Sequence, residues 1–212
     1  MSTTLWSAWY DEVLTDVPGC PRKMAEHAIR RAAIAFCERS TCWQQTLDPM
    51  DVDAGEAEYA WELPPSTRVV RPEMVWHGGK PLAPKTLAQL AELYQSWTTV
   101  RGTPLHYVQD NPEILRLVPI PEAALAAGLL ARVSLAPAAT ATGVPSWLFN
   151  RHYDAIAHGA KARLFAMKQK PWSEPGLAAY HRALFDQMAG GAQLQAGKGH
   201  TRAPQRTKSY FL

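Results

Sequence analysis

The stretch that most constrains this chain lies late, over residues 147–188, and is broken once at Lys170-Pro171-Trp172-Ser173-Glu174-Pro175. Before the break, Phe149, Tyr153, Ile156, Ala160, Leu164 and Met167 recur at steps of three and four, while Asp154, His158, Lys161 and Lys168 fall on the opposite side. That spacing predicts an amphipathic helix of roughly 20 residues. Gly159-Ala160 leaves a nearly flat spot where a partner can approach closely. A second helix is expected to start at Ser173 or Glu174, with Pro175 tolerated in its first turn. Its stripe would be Leu177, Tyr180, Leu184 and Met188, and Gly190-Gly191 would end it. Two one-sided helices must bury their stripes, and the only comparable partner in the sequence is at the other end.

That partner is a helix opening at Pro21 and running to about Ser40, with Met24, Ala28, Ile29, Ala32 and Phe36 inward. Its outer face carries Arg22, Lys23, Glu26, His27, Arg30 and Arg31. Ahead of it, Leu5, Trp6, Trp9, Tyr10, Val13 and Leu14 read as a short amphipathic helix capped by residues 2–4 and broken at Val17-Pro18-Gly19-Cys20-Pro21.

Between the helical ends the pattern changes. Asp48, Asp51, Asp53, Glu56 and Glu58 follow one another without a cation, which reads as a connecting loop. Strands are expected over residues 59–63, 69–76, 103–108, 114–120 and 129–135, with His77-Gly78-Gly79-Lys80 as a hairpin turn. Pro119 and Pro121 place their strand at a sheet edge. A helix is expected over 86–97, and 137–145 reads as a loop of small residues. The fold class is therefore α+β: an α-helical bundle from the N- and C-terminal helices, a β-rich insert and an extended C-terminal arm. The boundaries fall at 1–47, 48–145, 146–192 and 193–212.

With 212 residues, 47% hydrophobic and 19% charged, the composition is that of a globular protein short of surface charge. Eight Trp and 17 Pro fit a surface partly covered by partners. The net charge of +3 is concentrated in 198–212, which holds four of the 22 cations and none of the 19 acids. The first 14 residues lack a basic run and include Asp11 and Glu12, unlike a signal peptide. The most apolar run, 123–131, is too short to span a bilayer. Three cysteines, Cys20, Cys37 and Cys42, make no disulfide framework and fit a reducing cytosol.

Chemical motifs are missing. There is no phosphate-binding glycine loop, no dinucleotide fingerprint, no nucleophile elbow and no zinc-peptidase helix, which argues against an enzyme. Cys37 and Cys42 flank a helix end without the further ligands of a tetrahedral site, and His152 and His158, six apart, fall on different faces. Asp11, Asp16 and Asp154 show no spacing that marks an acid/base pair. Catalytic residues, metal ligands and cofactors are accordingly expected to be none. The end of the chain, basic and closing on Tyr210, Phe211 and Leu212, reads either as a disordered basic end or as an arm that becomes ordered on a partner, its cations setting the register and its aromatics filling pockets.

The elements Trp6-x-x-Trp9-Tyr10-Asp11-Glu12-Val13-Leu14, Val17-Pro18-Gly19-Cys20-Pro21, Gly102-x-Pro104-x-x-Tyr107, Leu117-Val118-Pro119-x-Pro121, Gly159-Ala160-x-Ala162-x-Leu164 and Lys170-Pro171-Trp172 together resemble the head-to-tail adaptor proteins of short-tailed bacteriophages. The resemblance spans residue 6 to about 188. It implies a virion protein that forms a ring of twelve subunits between the portal protein and the tail nozzle, with DNA passing through the channel without specific binding. Portal contact would then fall on Lys198, Arg202, Arg206, Lys208, Tyr210, Phe211 and Leu212. A closed ring needs two complementary faces per subunit, for which Arg22, Arg30 and Arg31 against Asp51, Asp53 and Glu56 are the candidates. A DNA-binding regulator using the basic early helix and a small enzyme with a polar pocket are the rival readings.

Overall fold

The computed structural model describes residues 2–199. Its helices in chain order are α1 (Tyr10–Asp16), α2 (Arg22–Ser40), α3 (Leu87–Leu93), α4 (Ser146–Phe165) and α5 (Pro175–Lys198), set among short and long strands in a mixed α+β fold. Two compact units can be distinguished. One is built from residues up to Trp43 together with those from Pro137 onward, and the other is Gln44–Ala136.

In the first unit α2, α4 and α5 pack on one another, and α1 lies against α2 and α4. Residues 2–4 do not cap a helix. Thr3–Leu5 is instead a strand, paired antiparallel with Gly143–Pro145 inside the segment that reads from sequence as loop. The approach is close enough that a Cβ on Gly143 would lie 2.1 Å from the Thr4 carbonyl oxygen, so only glycine fits there. A 3-10 turn, Trp6–Trp9, follows the strand. The Trp6 indole donates to the Ala141 carbonyl (2.8 Å) and the Trp9 indole to the Tyr153 carbonyl (3.0 Å), so both buried rings have their polar edge satisfied. Trp9 meets Phe149 edge-on at 4.7 Å and stacks on Tyr153 at 5.9 Å.

α4 is the middle of this unit. Ile156, Ala160 and Leu164 are buried, but so are Ala155, Ala157, Gly159, Lys161, Ala162 and Phe165, because α1, α2 and α5 cover it from several sides. The expected one-sided pattern therefore fails at Lys161, whose apolar stem and paired ammonium are both accommodated inside. The turn from α4 to α5 uses Gln169 at φ 61°, a Ser173 amide donating to the Lys170 carbonyl, and a Glu174 amide reaching back to the Phe165 carbonyl. Pro175 then opens α5 at its first position.

α5 departs from its sequence reading twice. Gly190-Gly191 does not end it: the helix runs to Lys198, so residues 193–198 are helical rather than extended. Interior glycines cost helix stability without forbidding helix, and neighbouring Ala189 and Ala192 stay buried in the unit. Its buried face is His181, Phe185, Ala189 and Ala192, one step round from the expected stripe.

In the second unit the long strands Thr67–His77 and Leu125–Pro137 pair in a five-stranded sheet, together with Gln44–Thr46, Met50–Val52 and Lys80–Pro81. The 48–58 segment is thus not simply loop. Met50 and Val52 are buried while Asp51 and Asp53 point out, the alternation of a half-buried strand that its acids mask. Gly78 and Gly79, at φ 54° and 77°, make the hairpin turn at which His77 pairs with Lys80. A four-stranded sheet runs in the order Glu58–Ala60, Ile114–Val118, His106–Val108, Ala83–Pro84. The strand at 114–118 is interior to that sheet, and the chain after Pro119 forms a separate parallel pair, Ile120–Pro121 with Arg101–Gly102. α3 is shorter than expected, opened by a capping box between Thr86 and Gln89. Leu90 buries against Val108 and Val118.

Candidate functional site

The chemistry-bearing groups of the helical unit gather around α4. Gly159 faces Phe185 of α5 and Ala32 of α2, and a Cβ added there would lie 2.6 Å from the Phe185 ring and 3.0 Å from Ala32 Cβ. The flat spot read from Gly159-Ala160 is therefore where Phe185 seats. Two residues on, Lys161 is 2% exposed, and its Nζ sits 2.6 Å from Glu12 Oε1 and 2.5 Å from Asp16 Oδ2 of α1. Burial alone would lower its pKa, but hydrogen bonds and charge from Asp16 and Glu12 outweigh burial and hold it above the ordinary lysine value. Both carboxylates keep nearly half their surface in water, so the cation is buried and its partners are not.

Beside this cluster, His158 of α4 and His181 of α5 meet Nδ1 to Nδ1 at 2.9 Å. One ring must donate and the other accept, so one carries a proton on Nδ1 and the other leaves its Nδ1 lone pair free. Burial depresses both, chiefly, and nearby Lys161 lowers both further. Phe165 stacks on His181 at 5.5 Å. His181 and Phe185 are missing from the sequence reading, because a stripe of large aliphatics outweighs a His and a lone Phe in hydrophobic periodicity. The signal that finds them is the glycine opposite, which requires a bulky partner.

The outward face of α5 carries what its core does not use. Leu177 is 44% exposed, Tyr180 58% and Met188 37%, and Leu194 beyond them is 69% exposed. These side chains leave apolar surface uncovered on α5, with Met188 at the margin of the buried face, where it lines a groove with residues of α4. On α2, Arg22 and Arg31 are exposed. Arg30 is engaged, donating to the Ala139 carbonyl at 2.8 Å with Glu26 3.9 Å away. Arg39 pairs with Asp186 of α5. In the second unit Asp51 accepts the Ala127 amide at 2.7 Å, supporting that residue's left-handed backbone at φ 51°. The Asp53 and Glu56 carbonyls both accept from Tyr59, at 3.4 and 3.0 Å. These acids thus have local duties, although the Asp53 and Glu56 carboxylates remain at the surface. Of the arm residues, Lys198 ends α5, while Arg202, Arg206, Lys208, Tyr210, Phe211 and Leu212 lie outside the described residues.

A groove of about 300 Å³ in the helical unit is lined by Arg151, His152, Asp154, Ala155, Met188 and Gln195. Among the described residues no group of three or more His, Cys, Asp or Glu is arranged to hold a metal ion, and no helix is long and apolar enough to cross a membrane. No curated protein matches the chain. The family model described as SU10 adaptor protein matches residues 8–208, which takes in both units and nearly the whole sequence; the chain belongs to that family of phage adaptor proteins.

Proposed function

We propose that this protein is a structural head-to-tail adaptor of a short-tailed bacteriophage virion: twelve copies form a ring between the portal protein and the tail nozzle, around a channel through which DNA passes. The observation that carries this reading is the family match over residues 8–208. The apolar line of Leu177, Tyr180 and Met188 on α5 supports it, since a subunit that closes a ring must present contact surface beyond its own core. Arg22 and Arg31, with Arg30 behind them, supply a basic face, and Asp51, Asp53 and Glu56 an acidic one; pairing between neighbours would set register more than affinity. Lys198, Arg202, Arg206 and Lys208 would steer the arm, and Tyr210, Phe211 and Leu212 would anchor it in the portal. The role needs no turnover, cofactor or metal.

The test is reconstitution with the portal protein, followed by negative-stain imaging and light scattering. Twelve-fold rings on the portal are expected. Tyr180→Glu together with Met188→Glu should leave the helical fold intact by circular dichroism while blocking ring closure. Truncation after Gly197 should preserve the fold and abolish docking. A protein that stays monomeric with its portal, or that instead binds short DNA duplexes at physiological salt through α2, would overturn the assignment.

A further inference from the structure

The groove between α4 and α5 lies beside the point where the chain leaves the helical unit. Buried Ala155 of α4 and buried Ala192 of α5 are among its lining, small side chains that leave the groove its volume of about 300 Å³. Met188, 37% exposed, gives it an apolar wall, and Gln195 lies within the last turn of α5, which ends at Lys198. A space of that size is at the low end for a small-molecule site and suits one or two large side chains. Arg151 and Asp154, both exposed, bring opposite charges to its rim, so neither sign of charge is favoured and the choice of occupant falls to apolar contact. Large apolar side chains follow in the same chain: residues 200–212 carry Arg202, Arg206 and Lys208 and then Tyr210-Phe211-Leu212. From Lys198 back to Met188 is ten residues of helix, about 15 Å along the axis. A flexible tether of about ten residues spans roughly 16–19 Å on average. Its typical span thus matches the distance to be covered, the condition under which a tethered group has its greatest effective concentration, of the order of 1 mM. A separate partner must bind far more tightly to win the same space.

We propose that in the free subunit the segment Tyr210-Phe211-Leu212 folds back along α5 and seats Tyr210 and Leu212 in the groove between α4 and α5. Alternate residues of an extended segment face the same way, so those two enter together while Phe211 points outward. Only the last few residues need be ordered, and the basic stretch before them stays a loose tether, which keeps the entropic cost small. The contact shields apolar anchors that would otherwise be offered to solvent and to neighbouring molecules. Its consequence rests on the adaptor reading: the same residues cannot fill the groove and a portal pocket at once, so the portal must outcompete the groove to take the arm.

The experiment uses the full chain without portal. In a Tyr210→p-benzoylphenylalanine variant, ultraviolet light should link position 210 to peptides carrying Met188 or Ala155 of the same molecule, in a yield that dilution does not change. Amide hydrogen exchange at 210–212 should be about tenfold slower, or more, than in the free peptide 199–212. Ala192→Leu, which fills the groove, should abolish both signals, with circular dichroism checking the fold. Met188→Lys, at a more exposed position, should do the same and serves if the first variant does not fold. Adding portal protein should move the link from α5 to the portal. A link to the groove that persists beside the portal supports the groove contact and counts against the arm's portal contact, so the two readings fail separately. Links formed only between two copies and lost on dilution, links elsewhere on the chain, exchange as fast as in the free peptide, or signals unchanged in both groove variants would each overturn the proposal.

Discussion

Replacing Gly159 by Ala tests the packing of the helical unit at its tightest point. The new methyl would lie 2.6 and 2.8 Å from two Phe185 ring carbons and 3.0 Å from Ala32 Cβ. Carbon atoms prefer about 3.5–4.0 Å, so the ring or one of the helices must move. Overpacking of this kind costs about 1–3 kcal/mol, against a gain of about 0.5–1 kcal/mol for removing a glycine from a helix interior. The balance is a loss of about 1–2 kcal/mol, or a fall in Tm of about 2–8 °C for a protein of this size. Gly190 and Gly191 lie in α5 with nothing within 4 Å of an added Cβ, so Ala at either should stabilise by about 0.4–1 kcal/mol. The same substitution thus takes opposite signs on neighbouring helices. Urea titration followed by the helical circular dichroism signal measures both. Phe185→Leu as a second change should reduce the cost of Gly159→Ala, giving a coupling in the double-mutant cycle. If Gly159→Ala unfolds at the same urea concentration as Gly190→Ala, or its cost is unchanged without the Phe185 ring, the close-approach argument is refuted.

Further outcomes are equally specific. Ile156→Ala or Leu164→Ala, each at a fully buried position, should cost about 2–5 kcal/mol in the same titration. Removing both charges that face Lys161, by Glu12→Gln with Asp16→Asn, should destabilise by about 3–5 kcal/mol because a buried ammonium is left unpaired. Lys161→Met should cost much less, since the two carboxylates remain hydrated. Equal losses in the two variants would show that the burial asymmetry does not matter. The His158–His181 pair has its pKa values depressed in the fold, so the unfolded chain takes up protons first. Its contribution is complete above the ordinary histidine value and is lost as pH falls from about 6.5 through the folded values. The fall in Tm between pH 7 and 5 should be shallower in His181→Asn.

Local signals made α2 legible in the sequence: a breaker ahead of it, a proline before its first turn and a periodic apolar face. The hairpin at Gly78-Gly79 was legible for the same reason, since the turn type demands its residues. α4 was misread at Lys161 because periodicity assumes one buried face, whereas other helices cover the second half of α4 on several sides; only its first half keeps exposed positions, such as Arg151 and Asp154. The error on α5 is of another kind. Leu177, Tyr180, Leu184 and Met188 form a genuine apolar stripe, but hydrophobicity does not say whether its partner lies in the same chain. The acidic strand at Met50–Val52 was hidden because charge outside and apolar residues inside alternate over only three positions.

The unit built from both ends of the chain also sets an order of events during synthesis. Gln44–Ala136 is continuous and can fold as it leaves the ribosome, whereas α2 must wait for α4 and α5 before its inner face is covered. Residues 41–145 separate α2 from α4, about 5–20 s of elongation at common rates. For that interval Ala28, Ile29, Ala32 and Phe36 are presented to the cytoplasm by an incomplete chain. Neighbouring polysomes making the same protein would hold many such helices close together, so the yield of soluble subunit should depend on how quickly ribosomes clear the middle of the message.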